Sequence, residues 1–209
     1  IKLTIMKKED LKPRLIKDEQ VFDNIQMEQA GLMGSGGCGG CGCGCGGRVN
    51  VSKIFSIHTS ADLNGYNWTI TGSANVYAIV SFKTTFGCDI QYSMTVFVTT
   101  TIQLDGESSC TINAEGEKSC IGGNTVMATG SISNSTGGTS AYLSGTIGTG
   151  RFTASRTEYD KDGKLSSSET VLDKIADIEL SLSIKYDESN GTLNINENDV
   201  KIALSALIS

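Results

Sequence analysis

The chain has 209 residues and a formal charge of −6, with 25 Gly, seven Cys, one Pro and one His. Its Lys and Arg form no cluster of the kind that grips a phosphate backbone, which argues against nucleic acid as a partner. No run of about 18 apolar residues occurs, so no transmembrane segment is predicted, and the mild acidity reads as ordinary solubility.

Residues 1–30 are rich in charge and contain the only proline, Pro13. Ile1, Leu3 and Ile5 alternate with Lys2 and Thr4, which fits a short strand. Leu11, Leu15, Phe22 and Ile25 recur at three- to four-residue multiples and predict an amphipathic helix, with Asp18 or Asp23 as cap and Gly31 as stop. Both faces need a partner surface to offset the entropy of ordering. These seven apolar residues therefore form a candidate assembly arm.

Residues 31–47 are a tape of glycine carrying Cys38, Cys41, Cys43 and Cys45. Glycine offers nothing to bury and loses the most backbone entropy on ordering, so a packed domain has no use for such a run. The C-x-x-C-x-C-x-C spacing suits a thiolate-bound metal, as in metallothionein-like segments. Disulfides between chains are a second reading. Chemical modification is a third, because the composition resembles azole-forming core peptides. Seven cysteines is an odd number, so at least one thiol is free, metal-bound or paired with another chain.

Residues 48–209 read as strand after strand. Tyr66, Trp68 and Ile70 alternate with polar residues, as do Tyr92, Met94, Val96, Val98, Ile102 and Leu104. Ile178, Leu180, Leu182, Ile184 and Tyr186 repeat the pattern, and Val200, Ile202 and Leu204 close the chain. One apolar face and one Ser/Thr/charged face mark antiparallel sheet packed on one side. Phe86-Gly87-Cys88-Asp89 links two long strands, while Asp162-Gly163 and Asn190-Gly191 are hairpin dipeptides. Only Glu169–Lys174 carries a competing signal, a Ser-Ser-Glu-Thr start that suits one helical turn.

Cys110 and Cys120 flank a hairpin-like loop with Gly116 near its tip, and a disulfide is predicted between them. Such a bond implies an oxidising compartment. Cys88, in a turn, is either free or a crosslink to the tape of another chain. Glu158, Asp160, Asp162 and Glu169, with Gly163, imitate the spacing of an EF-hand calcium loop. That pattern requires Asp at the first position and a flanking helix, whereas here Glu158 follows a strand-like stretch. A tight hairpin outweighs a weak Ca²⁺ site. His58 has no nucleophile elbow to serve.

The expected architecture is all-β: an antiparallel β-sandwich or jelly-roll-like body with an N-terminal strand/helix arm. The domains divide as arm 1–30, tape 31–47 and body 48–209. The function that fits best is a secreted or surface-exposed structural subunit, a homo-oligomer or polymer assembled through its arm. An adhesin or lectin-like module using the loops 105–124 and 133–140 is the alternative. A precursor or metal-binding protein acting through its tape follows. An enzyme ranks last, because no nucleophile–base pair is visible. No cofactor is expected; the weak Ca²⁺ site and the thiolate-bound metal are the alternatives to that.

Overall fold

The computed structural model describes residues 46–85 and 89–207. The arm residues Ile1, Leu3, Ile5, Leu11, Leu15, Phe22 and Ile25 lie outside the described residues, as do Cys38, Cys41, Cys43, Cys45 and Cys88. Ten strands follow in order: β1 (Gly46–Leu63), β2 (Tyr66–Thr84), β3 (Ile90–Gly106), β4 (Ser108–Ile112), β5 (Lys118–Gly123), β6 (Thr125–Gly137), β7 (Ser140–Tyr159), β8 (Leu165–Asp187), β9 (Thr192–Ile195) and β10 (Lys201–Ala206). A 3₁₀ turn occupies Glu197–Asp199. β1 begins at Gly46, inside the stretch that composition assigns to the tape.

All pairing is antiparallel, in two sheets. The first has the order β1-β2-β3-β6, and the second β10-β8-β7-β5-β4, with β9 also on β8. β7 covers the other side of β8 as far as Lys185, so β9 and β10 share one edge of β8 in succession.

Period-two alternation builds this arrangement. On β2, Trp68, Ile70, Ala74, Val76, Ala78 and Val80 are buried while Thr69, Thr71, Ser73 and Asn75 face out. β3 and β8 repeat the pattern through Met94–Leu104 and Ala176–Tyr186. The inward faces of both sheets feed one continuous buried cluster. Thr100 is the exception, a buried polar residue on the apolar face of β3. Its hydroxyl donates to the Gly130 carbonyl on β6 at 3.4 Å, which spares the cost of an unpaired buried group. Glu169–Lys174, where a helical turn competed, is strand within β8, because its backbone pairs with β7.

The turns follow their chemistry. Asn64 and Gly65 close β1 onto β2, both at positive φ (54° and 82°), as a two-residue hairpin requires. Gly163 and Gly191 take positive φ in the Asp162-Gly163 and Asn190-Gly191 turns.

The chain changes sheets around Asn124, between β5 and β6. Its carbonyl accepts from the Trp68 indole N–H (3.1 Å) and from Gly106 N–H (3.0 Å). Its side-chain amide donates to the Arg151 carbonyl (2.8 Å) and accepts from Thr153 N–H (3.0 Å) on β7. Gly106 and Gly123 cross so closely here that a Cβ on either would strike the other's backbone. Beside this crossing, Trp68 of the first sheet meets Phe152 of the second edge-on, with ring centroids 5.1 Å apart.

Asn124→Ala leaves the Arg151 carbonyl and the Thr153 N–H without their partner. It is expected to destabilise the protein by about 2–3 kcal/mol, read as a lower urea midpoint with an unchanged m-value.

Candidate functional site

Beyond the core, four strands continue as a two-sided extension. No residue of β4 or β5 is buried, nor any of Leu165–Val171 on β8. Without a core, this region needs other constraints. Cys110 and Cys120 sit directly opposite in the β4–β5 register, with Cα atoms 4.1 Å apart, and are disulfide-bonded. Asn113 shapes the tip: its Oδ1 accepts from Glu115 N–H (3.1 Å) and Glu117 N–H (2.8 Å), and Gly116 adopts φ 87°. The stretch 105–124 is therefore mostly strand rather than the binding loop expected, and 133–137 likewise completes β6. Cross-strand pairing decides in both places, although the residues lack an apolar alternation. β4 is the outermost strand of its sheet, so one side of Ser108–Ile112 has no strand partner among the described residues. Ile112, Lys118, Tyr159 and Leu165 form one row across the extension, with the Lys118 ammonium 5.9 Å from the Tyr159 ring centroid.

The EF-hand-like carboxylates are engaged in the β7–β8 hairpin instead of converging. Asp160 Oδ1 accepts from Asp162 N–H (3.0 Å) and Lys164 N–H (2.9 Å). Glu158 accepts from the Ser167 hydroxyl (3.0 Å), and Glu169 pairs with Arg156 (2.9 Å). Among the described residues, no three of His, Cys, Asp and Glu are grouped to hold a metal ion. His58 is exposed on the outer face of β1.

The middle of that outer face of the first sheet carries no charge along four successive rows, between Arg48 at one end and Asp105 at the other. Its registered rows read Asn50-Ile79-Thr95-Ser135, Ser52-Tyr77-Phe97-Ser133, Ile54-Asn75-Thr99-Ser131 and Ser56-Ser73-Thr101-Thr129. None of these positions is charged, and Tyr77 and Phe97 are exposed side by side with ring centroids 6.3 Å apart. The alternation predicts a polar face but gives no sign that charge is missing from it; only the strand register reveals that.

A third feature is an open cleft of about 610 Å³ at the other end of the second sheet. Lys53, Lys185, Tyr142, Ser183, Asn194, Asn196 and Asp199 line it. Lys53 was missed in the sequence because it stands at an inward-facing position of β1, between Val51 and Phe55 and opposite Val76, where a core residue is expected.

Among the described residues, no helix is long and apolar enough to cross a membrane. The chain matches no protein-family model, no curated protein and no solved structure.

Two predictions follow from the second sheet. Replacing Cys110 and Cys120 together by Ser should lower stability by roughly 2–3 kcal/mol. It should also bring protease cleavage first to the 108–123 region, as limited proteolysis with mass mapping would show. The outer surface of β7 and β8 carries a two-point Arg151–Asp173 pair (2.7 and 2.6 Å). The hydrogen bond from Arg151 holds the Asp173 carboxyl below its ordinary value of 3.8. A depressed folded-state value stabilises above the unfolded value and is lost as pH falls through the folded one. Urea midpoints should thus fall below about pH 4, and Asp173→Asn should flatten part of that decline.

Proposed function

We propose that this chain is a secreted or surface-exposed structural subunit, a sandwich-type body that assembles with copies of itself through its N-terminal arm. The observation that carries this reading is the outer edge of β4 on the disulfide-pinned extension. Ser108–Ile112 contains neither charge nor proline, the features that usually blunt an exposed edge. Such an edge accepts an added strand through its free backbone groups. The occupant we assign is Ile-Lys-Leu-Thr-Ile at residues 1–5 of a neighbouring copy, which matches the five residues of β4 in length. Ile1, Leu3 and Ile5 would share one face and extend the row that begins at exposed Ile112. Donor strand and acceptor edge are different patches, so the contact is heterologous and yields an open fibre or a closed ring. The disulfide fits an oxidising compartment, in keeping with an extracellular site. The glycine tape serves in this reading as tether and crosslink, with no cofactor.

Analytical ultracentrifugation of the full chain tests it. Concentration-dependent oligomers are expected, abolished both by removing residues 1–45 and by Ile112→Lys, with folding retained by circular dichroism. A monomeric full chain, or assembly that persists in both variants, would overturn the proposal.

A second reading, a surface-binding module of adhesin or lectin-like type, is favoured by the uncharged middle rows of the first sheet's outer face, with Tyr77 and Phe97 exposed on them. Sugar rings stack on exposed aromatic faces while surrounding hydroxyls and amides exchange hydrogen bonds with them. Tyr77→Ala with Phe97→Ala should then abolish retention on a neutral polysaccharide column and leave assembly unchanged.

A further inference from the structure

We propose that the cleft beside β9 binds a sugar that bears a carboxylate, a uronic acid residue of an acidic polysaccharide. The starting point is Lys53. The buried positions on its side of β1 are all apolar: Val51, Phe55, Ile57, Ala61 and Leu63. The residue opposite, Val76, is fully buried. A lysine at such a position breaks the local rule of the strand. Such breaks concentrate at functional sites, because the apolar burial they forgo has to be offset by some other use. Lys53 is exposed and lines the cleft rather than joining the core.

The second ammonium comes from the other sheet. Lys185 lies on the outward-facing side of β8, in register with Ser140 on β7 and Asn194 on β9. Neither lysine belongs to the two ion pairs of the described residues, Arg151–Asp173 and Arg156–Glu169. Two lysines and one aspartate, Asp199, are the charged residues lining the cleft, a local excess of positive charge on a chain whose formal charge is −6. An anion is the ligand this balance selects.

The neutral groups narrow the class. Asn194 carries a donor and an acceptor, Asn196 adds its amide N–H groups while its Oδ1 accepts from Asn198 N–H (3.1 Å), and Ser183 adds a hydroxyl. Vicinal sugar hydroxyls require that mixture, whereas a bare anion uses only donors. The Asp199 carboxylate can accept from a ligand hydroxyl. Tyr142, 60% exposed, supplies a ring against which a pyranose face can lie. A volume of about 610 Å³ falls within the range of small-ligand sites, enough for one or two sugar residues. The cleft lies at the opposite end of β7 from its pairing with β5, so the proposal stands apart from the β4 edge and from the outer face of the first sheet.

The test uses the full chain, ¹⁵N-labelled, titrated with sodium glucuronate and a trigalacturonate, with maltotriose and sodium acetate as comparators. Saturable shifts at Lys53, Tyr142, Asn194 and their neighbours are expected, weakening as salt is raised. Trigalacturonate should bind at least tenfold more tightly than either comparator. Lys185→Gln and Lys53→Met should each weaken binding about tenfold, the loss typical of a charge-assisted hydrogen bond. Lys53→Met should also keep or raise thermal stability, since it restores an apolar residue at an inward-facing position. That separates loss of a ligand contact from loss of fold. Absence of saturable shifts with trigalacturonate would overturn the proposal, as would unchanged binding in both variants. Acetate binding as tightly as trigalacturonate would reduce the cleft to a plain anion site and equally refute it.

Discussion

Asn124 is the point at which two long sheets become one body. Backbone and side chain together make five hydrogen bonds there, reaching Trp68 and Gly106 on one side and Arg151 and Thr153 on the other. The constraint is geometric before it is energetic. A strand that leaves one sheet for another exposes backbone groups that neither ladder can satisfy, and a buried unpaired group is costly. Asparagine solves this because its amide carries both a donor and an acceptor, imitating one more peptide unit. Gly106 and Gly123 are the second half of the solution, since the two strands meet where no Cβ fits. Trp68 then fills the space beside the crossing and spends its single polar atom on the Asn124 carbonyl.

With the sheets joined at that corner, the remainder of the chain divides by burial. β2, β3 and the second half of β8 lie over the shared core and need no further restraint. The β4–β5 hairpin and the tips of β7 and β8 run past it, where apolar burial contributes little. Local devices replace burial there. One covalent bond joins Cys110 and Cys120, Asn113 and Asp160 cap their turns, and Arg156 pairs with Glu169 across the hairpin. An exposed ion pair contributes at most about 1 kcal/mol, so the disulfide dominates. Rigidity without a core leaves an edge whose backbone is available to a partner.

Much of this was legible in the alternation of single strands. Tyr66 to Ile70, Tyr92 to Leu104 and Ile178 to Tyr186 carry their own face assignments, because a half-buried strand has to alternate. The disulfide was legible too, since ten residues around a glycine bring two cysteines opposite each other. The β4–β5 pair was not. Ser-Ser-Cys-Thr-Ile and Lys-Ser-Cys-Ile-Gly-Gly bury nothing, so neither has a periodicity to read. Asn64-Gly65 is a hairpin dipeptide as plain as Asn190-Gly191, set between Leu63 and Tyr66 at the ends of the two strands it joins. The candidate sites were the least legible. The uncharged outer face and the two-lysine cleft each draw on four or more strands, and their grouping exists only once the register is fixed.

The distribution of charge connects these surfaces. The outer face of the first sheet has four successive registered rows without an ionised group, with Arg48 beyond one end and Asp105 beyond the other, whereas the outer face of β7 and β8 carries the Arg151–Asp173 pair across the two strands. Paired charges on an exposed face oppose sheet stacking, because desolvating them costs more than their attraction returns. The four uncharged middle rows of the first sheet meet no such penalty. The two outer faces are therefore inequivalent in what covering them would cost: the four middle rows of the first sheet have no charge to desolvate, and the second sheet has the Arg151–Asp173 pair.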